Sequence, residues 1–203
     1  MIVIADYGMG NLGSICSMLK RLGIASLVSS VPDEIAGAEK LILPGVGGFD
    51  TGMRSIEERG LREILNEKAL AQKVPVLGIC LGAQLMTSSS EEGRLAGLGW
   101  IPAKTKRFAY PNLLGLKVPH MGWNRVVVQQ ESPLTENLPA EPRFYFVHSY
   151  YIRVEDEKDA LLKTTYGIAF DSGIRRGNVY GVQFHPEKSH KFGMRILENF
   201  ARL

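Results

Sequence analysis

Val74-Pro75-Val76-Leu77-Gly78-Ile79-Cys80-Leu81-Gly82-Ala83-Gln84-Leu85-Met86 joins a strand to a helix through a tight turn. Val74 to Ile79 is a short apolar run and reads as a core strand, and Leu81 to Met86 begins a helix. Between them stands Gly78-Ile79-Cys80-Leu81-Gly82, a nucleophile flanked by glycines two residues away on each side. The spacing has a steric reason. A side chain at a sharp strand-to-helix turn crowds its neighbours at those positions, and glycine relieves the crowding. The helix N-terminus then favours a thiolate through its dipole and free N–H groups. The backbone N–H of Leu81 is placed to bind an oxyanion. A buried structural cysteine near a glycine-rich turn answers the same pattern, so the elbow alone leaves both readings open.

Towards the N-terminus the chain alternates strand and helix signals. Ile2 to Ala5 is a short apolar run. Asn11 can cap a helix whose apolar residues Leu12, Ile15, Leu19 and Leu22 recur at helical spacing. Ser26 to Val31 reads as a second strand and Lys40 to Leu43 as a third, ending at Pro44-Gly45. Leu61 to Ala71 is helical. This alternation predicts an α/β fold: an open, mostly parallel sheet with helices on both faces. Beyond Trp100 the signals become short strands separated by turns, clearest at Val126 to Gln129, Arg143 to Val147, Leu161 to Tyr166 and Val179 to Gln183. Helical spacing returns from His190 to Leu203 through Phe192, Ile196 and Phe200. An added antiparallel portion within one domain, 1–203, fits this pattern.

Composition narrows the classes. The chain has 203 residues, 45% hydrophobic and 22% charged, with a formal net charge of +3, ordinary for a globular domain. Lys104, Lys106, Arg107, Arg175 and Arg176 carry no interleaved aromatics, so they read as solvated faces and no nucleic acid is expected. No apolar run spans a bilayer, and Met1 to Asp6 is too short and acidic for a secretory signal, so a cytoplasmic location without membrane attachment is expected. Of the two cysteines, Cys16 lies in the amphipathic pattern after Asn11 and reads as a small residue in or near the core. No disulfide framework is expected.

Two further segments stand at strand ends. His185-Pro186-Glu187 closes the run Val179 to Phe184. If strand geometry persists, His185 and Glu187 face one side; His185 then reaches the thiol, and Glu187 fixes its tautomer and steadies the imidazolium. Pro44-Gly45-Val46-Gly47-Gly48 follows Lys40 to Leu43, and a glycine-rich loop there can turn a backbone N–H of Val46 or Gly47 towards the same oxyanion. Taken singly, these segments read as a turn and a loop. Three elements at strand carboxyl ends, where open α/β sheets place their crevice, point to one site.

A competing class rests on Gly8-Met9-Gly10-Asn11-Leu12-Gly13, a G-x-G-x-x-G with Asp33 about 20 residues further on, as an NAD-binding oxidoreductase would ask. Asp6 and Tyr7 intrude between strand and glycines, no second substrate domain is evident, and the elbow stays unexplained. The glycines are better read as serving a tight turn.

The whole set resembles the class I glutamine amidotransferases, with a flavodoxin-like fold and a Cys-His-Glu triad. The finer match is to the glutaminase subunits of imidazole glycerol phosphate synthase, in histidine biosynthesis. It rests on Asp6-Tyr7-Gly8-Met9-Gly10-Asn11-Leu12, Leu43-Pro44-Gly45-Val46-Gly47, Gly78 to Gly82, Pro119-His120-Met121-Gly122-Trp123-Asn124, Phe146-Val147-His148-Ser149-Tyr150 and His185 to Ser189. The resemblance runs essentially end to end. The elbow and the His185 motif belong to the whole class, and the Asp6 and Pro119 motifs select this subunit over another ammonia-channelling glutaminase.

The resemblance implies hydrolysis of L-glutamine by Cys80, His185 and Glu187, with no metal or organic cofactor. It implies an oxyanion site at Leu81, Val46 and Gly47. Gln84, Glu92 and Gly47 would meet the substrate, and the backbone of Ser149 and Tyr150 its carboxylate. A heterodimer with a (β/α)₈ cyclase would form through Asn11, Trp123, Tyr145 and Lys188. The plainer reading makes Lys188 a solvated charge and Trp123 a core residue. Two departures from the family stand near the elbow and are expected to reshape the pocket wall: Ala83 replaces a common Met, and Thr87-Ser88-Ser89 a more apolar or acidic stretch.

Overall fold

The computed structural model describes residues 1–109 and 115–203. The first half contains β1 (Ile2–Ala5), α1 (Leu12–Arg21), β2 (Ser26–Ser29), α2 (Pro32–Ala36), β3 (Lys40–Leu43), α3 (Phe49–Glu58), α4 (Arg62–Asn66), β4 (Val76–Ile79) and α5 (Leu81–Leu85). The second contains β5 (Ser89–Ser90), β6 (Ala103–Arg107), β7 (His120–Arg125), β8 (Val127–Val128), β9 (Arg143–His148), β10 (Tyr150–Val154), β11 (Ala160–Tyr166), β12 (Ile168–Arg176), β13 (Val179–Val182) and α6 (His190–Arg202). Among these residues no helix is long and apolar enough to cross a membrane.

The backbone of the sheet is parallel, in the order β2-β1-β3-β4-β13. This is the 2-1-3-4-5 order of a flavodoxin-like sheet, with β13 as the fifth strand. β13 is also the junction to the antiparallel part, pairing with β12, which pairs with β10 and β11. β7 and β9 form a separate antiparallel ribbon. The expected α/β class with an added antiparallel portion is what the chain adopts.

Alternation along each strand builds a core on both faces of the sheet. Val3, Ala5, Leu41, Leu43 and Val76 point to one side, where α3 contributes Phe49, Met53 and Ile56. Ile2, Ile4, Ile42, Leu77 and Ile79 point to the other, where α1 contributes Ile15 and Leu19, and α6 Ile196, Leu197 and Phe200. Two-sided burial is why these strands read as unbroken apolar runs. Asn11 caps α1 as expected, its side chain accepting from the N–H of Ser14 at 3.2 Å. Cys16 is half-buried against the second core.

Some boundaries differ from the sequence reading. β2 stops at Ser29 and β4 starts at Val76. Of Val126 to Gln129 only Val127–Val128 is strand. The helix expected over Leu61 to Ala71 is α4 followed by a wider helical turn over Glu67–Ala71. The glycine pattern at residues 8–13 is a turn at Gly8 to Gly10 that runs into α1 at Leu12, and the dinucleotide reading is not favoured. Gly8 and Gly10 adopt φ of 84° and 105°, and a Cβ on Gly10 would press on Pro44 and Gly45, so the turn packs against the loop after β3.

Candidate active site

The carboxyl ends of β3, β4 and β13 lie side by side, and each supplies one part of a common site. β4 runs into α5 through Cys80, whose φ of 53° and ψ of −110° are unusual for a residue with a side chain. The turn is tight enough that a Cβ on Gly82 would collide with the Leu43 carbonyl, and one on Gly78 would lie 2.7 Å from the backbone of Ala83. Both elbow glycines are therefore demanded by packing. The N–H of Cys80 donates to Val182 O at 2.8 Å, tying the elbow to β13. Leu81 opens α5, where N–H groups lack intrahelical acceptors.

His185 and Glu187 follow β13. Glu187 Oε1 lies 2.7 Å from His185 Nδ1. Their meeting does not come from a continued strand, as the sequence suggested. β13 ends at Val182, and Pro186–Lys188 is one tight helical turn that folds Glu187 back under the imidazole. Ser189 closes that turn: its hydroxyl donates to the His185 carbonyl at 2.6 Å and accepts from the N–H of Tyr145 at 3.0 Å. His185 Nε2 is buried and makes no hydrogen bond to the described residues. Burial works against charge on this ring, but the Cys80 sulfur and the Glu187 carboxylate outweigh it and lift the His185 pKa to about 9.

Cys80, Leu81 and His185 line a cleft of about 280 Å³ together with Val46, Gly47, Gln84, Glu92, Ser149 and Tyr150. Every residue assigned from sequence to nucleophile, base, oxyanion or substrate faces this one cavity. Glu187 stands behind His185, as an orienting carboxylate should. Gly47 takes φ of 132°, and a Cβ there would strike the Met9 side chain. Tyr7, fully buried, donates its hydroxyl to the Pro44 carbonyl, and its own carbonyl accepts from Ser55 Oγ, so the glycine loop is held from below. Burial, and then the nearby Cys80, push the Tyr7 hydroxyl pKa far upward, which keeps it a donor. Glu92 accepts from the N–H of Phe49 at 2.9 Å, at the start of α3; burial raises its carboxyl pKa against that hydrogen bond.

Sequence reasoning does not single out Pro119, Val147, His148 or Gln183 for the site. The first three also line the cleft. Gln183 donates to Cys80 Sγ at 3.7 Å and accepts from Gln84 Nε2 at 3.0 Å. Gln84 Nε2 also donates to the Tyr150 carbonyl at 3.1 Å. Neither Ala83 nor Thr87-Ser88-Ser89, the two departures from the family, is among the residues that line the cleft. Ala83 points into the sheet, where a Cβ on Gly181 would meet it at 3.0 Å, and the buried Thr87 hydroxyl donates to Gln84 O at 2.7 Å.

The sequence profile described as Glutamine amidotransferase class-I matches residues 3–203. An imidazole glycerol phosphate synthase subunit HisH 2 of Methanococcus maripaludis is 54% identical, covering 100% of this chain and 99% of its own. A HisH 2 subunit of Pseudomonas aeruginosa is 49% identical with 100% of both chains covered, and the HisH subunit of Bdellovibrio bacteriovorus is 48% identical over the same extent.

The chain belongs to the class-I glutamine amidotransferases, in the family of the HisH subunits.

Fold comparison agrees. A crystal structure of a glutamine amidotransferase superposes with a TM-score of 0.76 over 100% of both chains at 22% identity. The structure of PurLQS from Thermotoga maritima gives 0.73 at 18% identity, over 99% of this chain and 97% of its own. This amidotransferase is an enzyme that hydrolyses glutamine, and the dinucleotide reading is set aside.

The residues expected at a partner contact also lie near one another. Lys188 Nζ sits 5.8 Å over the Tyr145 ring. Trp123 meets Tyr145 edge-on at 6.4 Å and stacks on His190 at 5.6 Å. Trp123 is 47% exposed and its strand neighbour Met121 61%, so Trp123 is not a core residue. Asn11 lines a surface hollow that Glu187 also borders.

Proposed function

We propose that this amidotransferase is the glutaminase half of an imidazole glycerol phosphate synthase, acting as one unit over 1–203. The observation that carries the chemistry is the strained Cys80 elbow in one cleft with a His185 imidazole held by Glu187 at 2.7 Å. His185 takes the Cys80 proton, leaving thiolate and imidazolium. The thiolate attacks the side-chain amide carbon of L-glutamine. Backbone N–H groups of Leu81 and of Val46 or Gly47 stabilise the tetrahedral oxyanion. As the C–N bond breaks, His185 returns the proton to the departing nitrogen, and ammonia leaves a glutamyl thioester. Water, deprotonated by His185, cleaves the thioester to glutamate and regenerates the thiol. Gln84 and Glu92 border the space for the substrate, and the Ser149–Tyr150 backbone receives its carboxylate.

Free ammonia protonates in water and loses its nucleophilicity, so the product is useful only when passed directly to an acceptor enzyme. High identity to HisH subunits over the full chain supports a cyclase of (β/α)₈ architecture as that acceptor, in a heterodimer. The exposed Met121 and Trp123 beside Tyr145 and Lys188 support docking on that face. The test is glutamine hydrolysis by the chain with and without the cyclase, together with alkylation by an electrophilic glutamine analogue. Stimulation by the cyclase and labelling of Cys80 alone are expected. Labelling of Cys16 in its place, or full activity in Cys80→Ala, would overturn the assignment.

A further inference from the structure

The segment Pro119-His120-Met121-Gly122-Trp123-Asn124 holds a histidine for which the reaction has no use. His120 is 3% exposed, and its register partner across the ribbon, His148, 6%. His120 Nδ1 lies 2.8 Å from His148 Nε2, and His148 Nδ1 lies 2.7 Å from the Tyr150 carbonyl oxygen. At the other end, Asn124 Nδ2 lies 3.2 Å from His120 Nε2 and 2.9 Å from Thr165 O. Asn124 Oδ1 accepts from the N–H of Arg125 at 2.8 Å, so the amide has one orientation.

These contacts allow one arrangement of protons. A carbonyl only accepts, so His148 carries its proton on Nδ1 and leaves Nε2 bare. A bare Nε2 must accept, so His120 donates from Nδ1. His120 Nε2 is then bare and accepts from Asn124, whose second amide hydrogen goes to Thr165. An extra proton on either ring would set two N–H groups against each other. Burial acts in the same direction, lowering the pKa of His120 to about 4. It takes His148 to about 3, with His120 and His185 adding to the effect and the Tyr150 carbonyl opposing it. Aromatic rings fix the planes: His120 stacks on Tyr166 at 4.0 Å and on Phe146 at 4.8 Å.

The relay ends on Tyr150, whose carbonyl also accepts from Gln84. The neighbouring Ser149 carbonyl accepts from the N–H of Phe108 at 3.2 Å. The corner between β9 and β10 is thus held at two successive carbonyls, and this corner borders the cleft. We propose that the Asn124–His120–His148 relay is a positioning device for the glutamine α-carboxylate, holding the Ser149–Tyr150 backbone at the orientation that receives it. His120 and His148 act as neutral imidazoles through Tyr150 and transfer no proton to substrate. The inference rests on the reading that this backbone meets the carboxylate.

Two measurements test it. The chain has four histidines, so ¹⁵N-histidine labelling of the full wild-type chain resolves each ring. His120 and His148 are expected to carry hydrogen on Nδ1 and none on Nε2. A hydrogen on Nε2 of either overturns the relay, and this readout needs no variant. The second is kinetic, with the cyclase present. His120→Phe keeps the stacking but leaves His148 Nε2 without a donor; His120→Asn keeps an N–H near the Nδ1 position. Leaving a buried acceptor unpaired is expected to raise the glutamine KM about tenfold in His120→Phe, with little change in kcat. His120→Asn should recover most of the loss. L-glutamine α-amide, which lacks the carboxylate, should show the same KM in wild type and variant. An unchanged glutamine KM, or an equal rise for both substrates, overturns the proposal. A wild-type enzyme indifferent between glutamine and its α-amide would instead overturn the reading of Ser149 and Tyr150 beneath it.

Discussion

Gln183 donates from its side-chain Nε2 to the sulfur of Cys80 at 3.7 Å, from a position two residues before His185. Gln84 donates to Gln183 Oε1 and so sets which end of that amide faces the sulfur. A fixed N–H beside sulfur favours the thiolate. Gln183→Met keeps the length and removes the donor. It should slow alkylation of Cys80 by an electrophilic glutamine analogue about tenfold, the effect of one lost hydrogen bond to a charged group. Gln183→Glu sets a carboxylate against the thiolate and should slow it further. Rates equal to wild type in both would show that the contact does not tune the nucleophile.

The backbone of Cys80 carries a measurable strain. At φ of 53° and ψ of −110°, a residue with a Cβ is strained where glycine is not, and functional elbows store such strain at about 1–3 kcal/mol. Cys80→Ala and Cys80→Gly both remove the thiol and should both be inactive. Cys80→Gly should nevertheless be more stable than Cys80→Ala by about 1 kcal/mol in urea unfolding, after allowing for the larger unfolded-state entropy of glycine. An alanine variant at least as stable as the glycine one would mean that the elbow holds no strain.

The charge state of His185 gives a pH prediction. Its pKa is raised to about 9 by Cys80 and Glu187, against the opposing effect of burial. A raised value means that the folded state holds the proton more tightly. The stabilisation is full below the ordinary pKa of about 6.5 and is lost as pH rises through about 9. Catalysis should fall over the same alkaline limb, because the imidazolium must protonate departing ammonia. In Glu187→Gln one of the two supports is gone. The alkaline limb and the NMR titration of His185 should both move to lower pH, and kcat should fall by orders of magnitude with modest change in KM. A His185 titration unmoved by the substitution would remove Glu187 from the triad.

How much of the fold and the site is legible in the residues depends on the kind of interaction. The parallel strands are buried on both faces, so β1, β3 and β4 appear as plain apolar runs. The elbow is readable because its glycines answer a local clash. β6 and β12 are hard to read because their signals are mixed: Lys104 points outward between the buried Ala103 and Thr105, Arg107 is exposed at the strand's end, and Gly173 interrupts β12. α3 does not stand out although Phe49, Met53 and Ile56 have helical spacing, since its start at Phe49 has no side-chain cap. The partners of Gln183, and the pairing of His120 with His148, come from elements brought together only by the fold. No local pattern encodes them.

On the face beside the triad, Met121 and Trp123 alternate on β7 and are 61% and 47% exposed, although both are large apolar residues that a monomer would gain by covering. Tyr145, in register with Trp123 across the ribbon, passes its carbonyl to the N–H of His185 at 2.9 Å. A partner pressing on this ribbon therefore bears on the backbone of His185, the proposed base, through one hydrogen bond. Trp123→Ala should weaken association with the cyclase by about 2 kcal/mol, as expected for a central aromatic contact. Lys188 has its ammonium over the Tyr145 ring, and Lys188→Ala should cost less affinity but lower the stimulation of glutamine hydrolysis at saturating cyclase. Calorimetry gives the first quantity and a coupled glutaminase assay the second. Equal affinity in Trp123→Ala would move the docking surface elsewhere. Undiminished stimulation in Lys188→Ala would return that lysine to the role of a solvated surface charge.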